Sequence, residues 1–193
     1  MRKLILQEWL SLDGFTADKN GSLDFFASNE LNKYSDDDIL KFMHTIDTIL
    51  LGRVTYELFV NFWPTATTDR EVFAYKLNST DKIVFSSSLT KAPWGKWPDA
   101  KIINDDAVGE VRKVKAKPGK NMVLWGSISV AQSLIKENLI DEYHLRICPT
   151  VIGGGNPLFP TMPGDLNLEL VDHKKYELGV ILLHYQPKPA AGL

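Results

Sequence analysis

The chain is poor in the features that mark several large protein classes. It has one cysteine, Cys148, in 193 residues. That excludes an intrachain disulfide and a four-cysteine zinc site. H-x-E and C-x-x-C are both missing, so a zinc deaminase module has no ligands to build on. The four histidines, His44, His144, His173 and His184, form no local pair at ligand spacing, and the sequence predicts no metal site. No apolar run reaches membrane-spanning length, and the N-terminus carries no long apolar stretch followed by a small-residue cleavage site. Cytoplasmic location and no membrane association are the expectation. Net charge is only -2, with Lys and Arg dispersed, so no electrostatic footprint for nucleic acid is present. G-x-G-x-x-G and G-x-x-x-x-G-K-[ST] are both absent, which removes the Rossmann and P-loop fingerprints.

What is there is a globular balance, 44% hydrophobic and 24% charged, long enough for one domain with a sizeable core. Lys3–Leu10 reads as a strand that stops at the turn Ser11-Leu12-Asp13-Gly14, followed by a long loop to about Tyr34. Ser35 and three aspartates precede an apolar stripe at Ile39, Phe42, Met43 and Ile46, which predicts a helix with acids at its positive end. Thr48–Leu51 is a buried strand and the Tyr56, Phe59, Val60, Trp63 spacing a helix; Asp69 is positioned to cap another helix through Leu77. Strands follow at Lys82–Phe85, Lys101–Ile103 and Asn121–Trp125, with helices at about Asp106–Lys115 and Ile128–Glu137. The last third holds strands at Glu142–Ile147, Leu168–Val171 and Gly179–Tyr185 without helices between them. The expected fold is α/β: a mixed, mostly parallel central sheet flanked by helices, with an antiparallel C-terminal edge. One domain over residues 1–186 and a flexible Pro/Ala-rich tail over 187–193 are expected.

Three strand exits share one pattern, an apolar strand giving way to Gly or Ser. They are Leu51-Gly52-Arg53-Val54-Thr55, Phe85-Ser86-Ser87-Ser88 and Trp125-Gly126-Ser127-Ile128. In a parallel sheet all three fall at the carboxyl edge, where glycine lets backbone N–H groups approach a phosphate and the next helix presents free donors. Asp38 and Asp13 are candidate carboxyl groups for proton transfer, although Asp36–Asp38 also serve simply to complement the helix dipole and an Asp13-Gly14 turn needs no such role. Trp9, Trp63 and Trp125 can stack on a flat ring, with Trp125 at a strand exit facing the cleft, although tryptophan commonly serves as core packing. His144 and Cys148 read as structural, and an Asp141/Glu142 acid pair is disfavoured because neighbouring strand residues point to opposite faces.

These residues carry a family resemblance over nearly the whole chain. Ile49–Glu57 (ILLGRVTYE) resembles the "hGRxTaE" segment of dihydrofolate-reductase-like proteins, and Val123–Ser127 their later "hxGG" strand exit. Leu139–Leu145 with Pro149 and Val151–Phe159 is similar to the "LhDEhxlxhxPhhhGxGxxLF" stretch of the branch typified by the reductase domain of the riboflavin-pathway enzyme RibD. Ser11–Gly14 matches that branch too. The resemblance implies an NADPH-binding fold, commonly homodimeric, that reduces a small heterocyclic substrate of the ribosylamino-pyrimidine type.

Carried over by position, Leu51, Gly52, Arg53 and Thr55 would meet NADPH phosphates. Ser86 and Ser87 would lie near the adenosine 2′-phosphate, and Gly126, Ser127 and Ile128 near the pyrophosphate. Gly153 and Gly154 would flank the nicotinamide or substrate, with Trp9, Asp13 and Trp125 on the substrate side. Asp38–Phe42 looks like the "DLxxFK" helix that carries the pterin-binding acid of dihydrofolate reductases, although the first loop lacks their "LPW". Without a deaminase module the chain is expected to be a stand-alone reductase. Dihydrofolate reductase itself and a non-catalytic, dimeric nucleotide-binding protein are the alternatives. The chain has Gly126-Ser127 where the family has two glycines, and a serine disfavours the positive φ such a turn needs.

Overall fold

The structure is a computed structural model that describes residues 1–26 and 35–188. The expected loop to Tyr34 thus lies partly outside the described residues, as does most of the tail. Helices are α1 (Asp36–Met43), α2 (Arg53–Val60), α3 (Ala74–Ser79), α4 (Ala107–Lys115) and α5 (Ile128–Lys136). Strands are β1 (Leu4–Leu10), β2 (Phe15–Asp18), β3 (Ile46–Gly52), β4 (Asp81–Phe85), β5 (Lys101–Ile103) and β6 (Asn121–Trp125). The remaining four are β7 (Glu142–Ile147), β8 (Gly155–Pro157), β9 (Leu168–Lys175) and β10 (Ile181–Pro187). None of the described helices is long and apolar enough to cross a membrane.

Eight strands form the central sheet in the order β5-β4-β3-β6-β1-β7-β10-β9. The first six run parallel, and β10 pairs antiparallel with both β7 and β9. The mixed sheet with an antiparallel C-terminal edge is therefore present as the sequence predicts. Period-2 alternation assigns the two faces. Leu4, Leu6 and Leu10 of β1 join Tyr143 and Leu145 of β7 under Val111, Val114, Leu134 and Ile135 of α4 and α5. On the other face Ile49, Leu51, Val123 and Trp125 pack against Ile39 and Met43 of α1, Tyr56 of α2 and Leu77 of α3.

Three details depart from the sequence reading. β2 lies inside the stretch read as loop and pairs with β8 in a separate two-stranded sheet; at four and three residues, neither carries enough periodicity to register. Helix α3 starts at Ala74 rather than at an Asp69 cap, after a run of turns. Pro187, assigned to the tail, ends β10, and Lys188 still donates its N–H to Asn167.

Candidate active site

The three strand exits meet at the carboxyl edge because β3 is flanked by β4 and β6, both parallel to it. The Gly52 N–H donates to Ser127 Oγ at 2.6 Å, and the Ser127 N–H donates to Thr55 Oγ1 at 2.9 Å. The Ser127 hydroxyl in turn donates to the Trp125 carbonyl at 2.8 Å. These bonds clamp the start of α2 to the start of α5. The approach leaves little room: a Cβ on Gly52 would sit 3.3 Å from the Ser127 Cβ, and one on Gly126 would sit 2.6 Å from Thr55 Oγ1.

Ser127 does take the left-handed conformation, φ 63 and ψ 45, contrary to expectation for a residue with a Cβ. The left-handed region costs roughly 1–2 kcal/mol for such a residue. Three buried hydrogen bonds at about 1 kcal/mol each offset that cost. Its hydroxyl proton goes to Trp125, so Ser127 shapes the turn from inside.

Neither α2 nor α5 has a side-chain cap at its N-terminus, so first-turn N–H groups of two adjoining helices have no capping partner among the described residues. Two positive dipole ends side by side form a donor set suited to a pyrophosphate. Arg53 stands exposed at the start of α2, bonded to Glu57 at 2.8 and 2.9 Å. On β4's exit the Ser86 hydroxyl accepts from the Ser88 and Leu89 N–H groups, closing its own turn, while Ser87 is exposed. Leu51 is fully buried in the core below. Ile128 opens α5 and is half-buried.

Next to this edge, under α1, the sheet carries a cavity of about 200 Å³ whose lining includes Gln7, Asp38, Phe42, His144, Arg146 and His184. Trp125 Nε1 donates to Gln7 Oε1 at 2.7 Å, which joins the cavity to the strand that ends in the Gly126-Ser127 turn. Trp125 is itself buried beside Phe59, so it supports the cleft rather than facing it. Trp9 stacks on Phe26 with ring centroids 5.6 Å apart and carries the Arg146 guanidinium 5.4 Å above its ring. Trp63 packs on Phe59 and Phe73.

Asp38 accepts the Tyr176 hydroxyl at 2.9 Å and pairs with Lys174. Burial works against its charge, but the bonds from Lys174 and Tyr176 outweigh burial and hold the carboxyl below its ordinary value. Asp38 is therefore an acceptor. Two positions earlier, burial first and then Glu71 and Asp37 push Asp36 up to about 6. Arg146 is fully buried, and its Nε and Nη1 have no hydrogen-bond partner among the described residues. A buried guanidinium with unused donors beside a carboxylate is a recognition pair for a polar planar ligand.

Asp13 stands apart from the cavity. It accepts from the Ile152 and Gly153 N–H groups at 3.2 and 2.8 Å and so holds the 151–155 loop. Gly153 and Gly154 take positive φ there, 73 and 146, and Gly155 follows into β8.

Sequence reasoning missed Arg146, Lys174, Tyr176 and a histidine pair. His144 and His184 sit opposite one another in the β7–β10 register, with ring centroids 4.2 Å apart. Glu142 points to the same face as His144, two residues along the strand, while Asp141 turns away to the Leu4 N–H and Lys115. The His144 bond, ahead of Lys3, takes Glu142 down to about 2 despite burial. Burial first, then His144, lowers His184. The signal was the i, i+2 pair Glu142/His144 on one strand face; its third member needed the strand register.

A family model for the RibD C-terminal domain matches residues 2–182. A Bacillus subtilis protein, YyaP, itself described as uncharacterized, is 34% identical over 95% of this chain and 94% of its own length. A crystal structure from Shewanella sp. PV-4, provisionally assigned to riboflavin biosynthesis, superposes with a TM-score of 0.78 at 25% identity, covering 97% of this chain and 99% of that one. Dihydrofolate reductase from Enterococcus faecalis, solved with NADP(H), superposes with a TM-score of 0.61 at 15% identity over 97% of each chain.

Proposed function

This chain belongs to the RibD C-terminal domain family, and on that premise we propose that it is an NADPH-dependent reductase of a small heterocyclic substrate. The observation that carries the reading is the clamp between Gly52, Thr55 and Ser127, which sets two uncapped helix N-termini side by side at the sheet edge. The backbone donors of α2 and α5 hold the pyrophosphate of the nucleotide, and Arg53 adds an exposed positive charge. When bound, the dihydronicotinamide supplies a hydride.

The cavity then does the rest. Asp38 accepts from an amino or ring N–H edge of the substrate, and Arg146 donates to a carbonyl or anionic edge. Phe42 lies against the ring. A proton for the other atom of the reduced bond comes from a carboxyl or from water. Most of the rate comes from holding the two reactants in register. The substrate is of the ribosylamino-pyrimidine type or a relative of it. Self-association through β9, an exposed edge strand carrying Leu170 and Val171, belongs to the same reading.

Thermal-shift measurements with NADPH and NADH side by side test the cradle, and NADPH oxidation with pyrimidine and dihydropterin substrates tests turnover. Stabilisation by NADPH together with substrate-dependent oxidation supports the reading. Stabilisation without oxidation by any of these substrates favours the non-catalytic nucleotide binder, and no stabilisation by either nucleotide removes both.

A further inference from the structure

The face of the sheet below the Asp38–Arg146 end of the cavity brings together three metal-type donors. Glu142 and His144 come from β7, and His184 comes from β10, directly across the antiparallel register. One donor atom from each lies within 4.8 Å of the others. His144 Nε2 is 3.2 Å from Glu142 Oε2, and His184 Nε2 is 3.1 Å from the same oxygen.

Hydrogen bonding alone leaves this arrangement incomplete. The contact from His184 is close but misaligned, and its Nε2 is buried with no hydrogen-bond partner among the described residues. The other carboxylate oxygen is already engaged. Lys3 Nζ donates to Oε1 at 2.6 Å and Gln186 Nε2 donates to it at 3.3 Å, which fixes the carboxylate and leaves Oε2 turned to the two imidazoles. Such outer bonds are what orient metal ligands elsewhere. The two separations from the carboxylate oxygen also fit, since two ligands on a tetrahedral zinc at 2.0–2.1 Å lie ~3.3 Å apart, and the two imidazoles are within 4.8 Å of each other.

We propose that Glu142 Oε2, His144 Nε2 and His184 Nε2 form a three-ligand site for a divalent transition-metal ion. Two neutral imidazoles and one carboxylate are a donor set suited to zinc, iron(II) or cobalt(II), and not to calcium or magnesium. Both histidines line the cavity, so the coordination positions left open face the space that Asp38 and Arg146 also border. A bound ion there offers a further anchor for an oxygen or nitrogen donor of the cavity's ligand. The site stands on its own geometry, whether or not the chain turns over NADPH.

The test is a calorimetric titration of the full chain, stripped with chelator, with Zn²⁺. One ion per chain is expected to bind, with affinity falling at least ~10-fold in H144A and in H184A, while H44A leaves binding unchanged. Co²⁺ gives a second readout that needs no variant: two strongly shifted imidazole N–H protons in the proton spectrum. Failure of the wild-type chain to bind Zn²⁺ overturns the proposal. So does binding that survives both substitutions, or a Co²⁺ complex without two shifted imidazole protons.

Discussion

Tyr176 donates its hydroxyl to Asp38 Oδ2 across 2.9 Å, joining the end of the β9 hairpin strand to helix α1 over 138 residues of sequence. With Lys174 it keeps Asp38 ionised against the pull of burial. A carboxyl held below its ordinary value of 3.8 contributes stability that is present above that pH and lost as pH falls through its folded value. Y176F removes one of the two bonds and moves the folded value back toward 3.8. Y176F is therefore expected to lose about 1 kcal/mol near neutrality and to show a smaller fall in stability below pH 3.8 that ends at a higher pH than in the parent, measured by urea denaturation across the acid range. D38N is expected to abolish substrate-dependent NADPH oxidation while leaving nucleotide-induced stabilisation in place.

The clamp at Ser127 separates two energetic contributions. S127A keeps the left-handed strain and loses the hydroxyl that both accepts from Gly52 and donates to Trp125. S127G loses the same bonds but removes the strain. Both are expected to be less stable than the parent chain, with S127A lower than S127G by about 1 kcal/mol, read from denaturant midpoints. Equal losses in the two variants argue against strain at this position.

Lys82 closes the end of helix α3. Its Nζ donates to the carbonyls of Leu77, Asn78 and Thr80 at 2.9, 2.9 and 2.7 Å and lies 4.6 Å from the Trp94 ring. Three acceptors match the three donors of an ammonium at the negative end of a helix. K82M keeps much of the stem's bulk and leaves three carbonyls without that donor. A loss of about 2–4 kcal/mol is expected, measured by thermal or urea unfolding.

Glu8 lies on the opposite sheet face from Gln7 and accepts from the Trp9 and Gly126 N–H groups. Burial dominates and pushes its carboxyl up to about 8, from an ordinary 4.5. A raised folded value gives a contribution that is complete below pH 4.5 and lost as pH rises through 8. E8Q has no such titration, so the stability of E8Q relative to the parent is expected to rise across that window. Lys82, lowered by burial to about 7, runs with the opposite sign, but it is common to both chains and cancels in the difference. A flat difference curve contradicts the assignment.

Most of the scaffold is legible in the sequence because its strands are apolar runs closed by Gly or Ser, and its helices carry stripes at Ile39/Met43 and Ala131/Leu134/Ile135. The turns proposed as the cradle are legible for the same reason, since Gly52 and Gly126 each end such a strand. The cavity is less so. Arg146, Tyr176 and Lys174 meet Asp38 only through the β7–β10–β9 pairing, and no local spacing encodes it. His144 and His184 lie 40 positions apart and become neighbours through one register. Asp13 followed the turn signal correctly, yet its carboxylate holds the Gly153 loop instead of pointing into the cavity.

Nucleotide binding is the central claim, and a calorimetric titration of the full chain with NADPH measures it most directly. One saturable site per chain with a micromolar or tighter dissociation constant is expected, weakened at least ~10-fold in G126V, whose added Cβ meets Thr55. No saturable binding up to ~1 mM NADPH, or binding indifferent to G126V, contradicts the cradle assigned to Gly52, Thr55, Gly126 and Ser127.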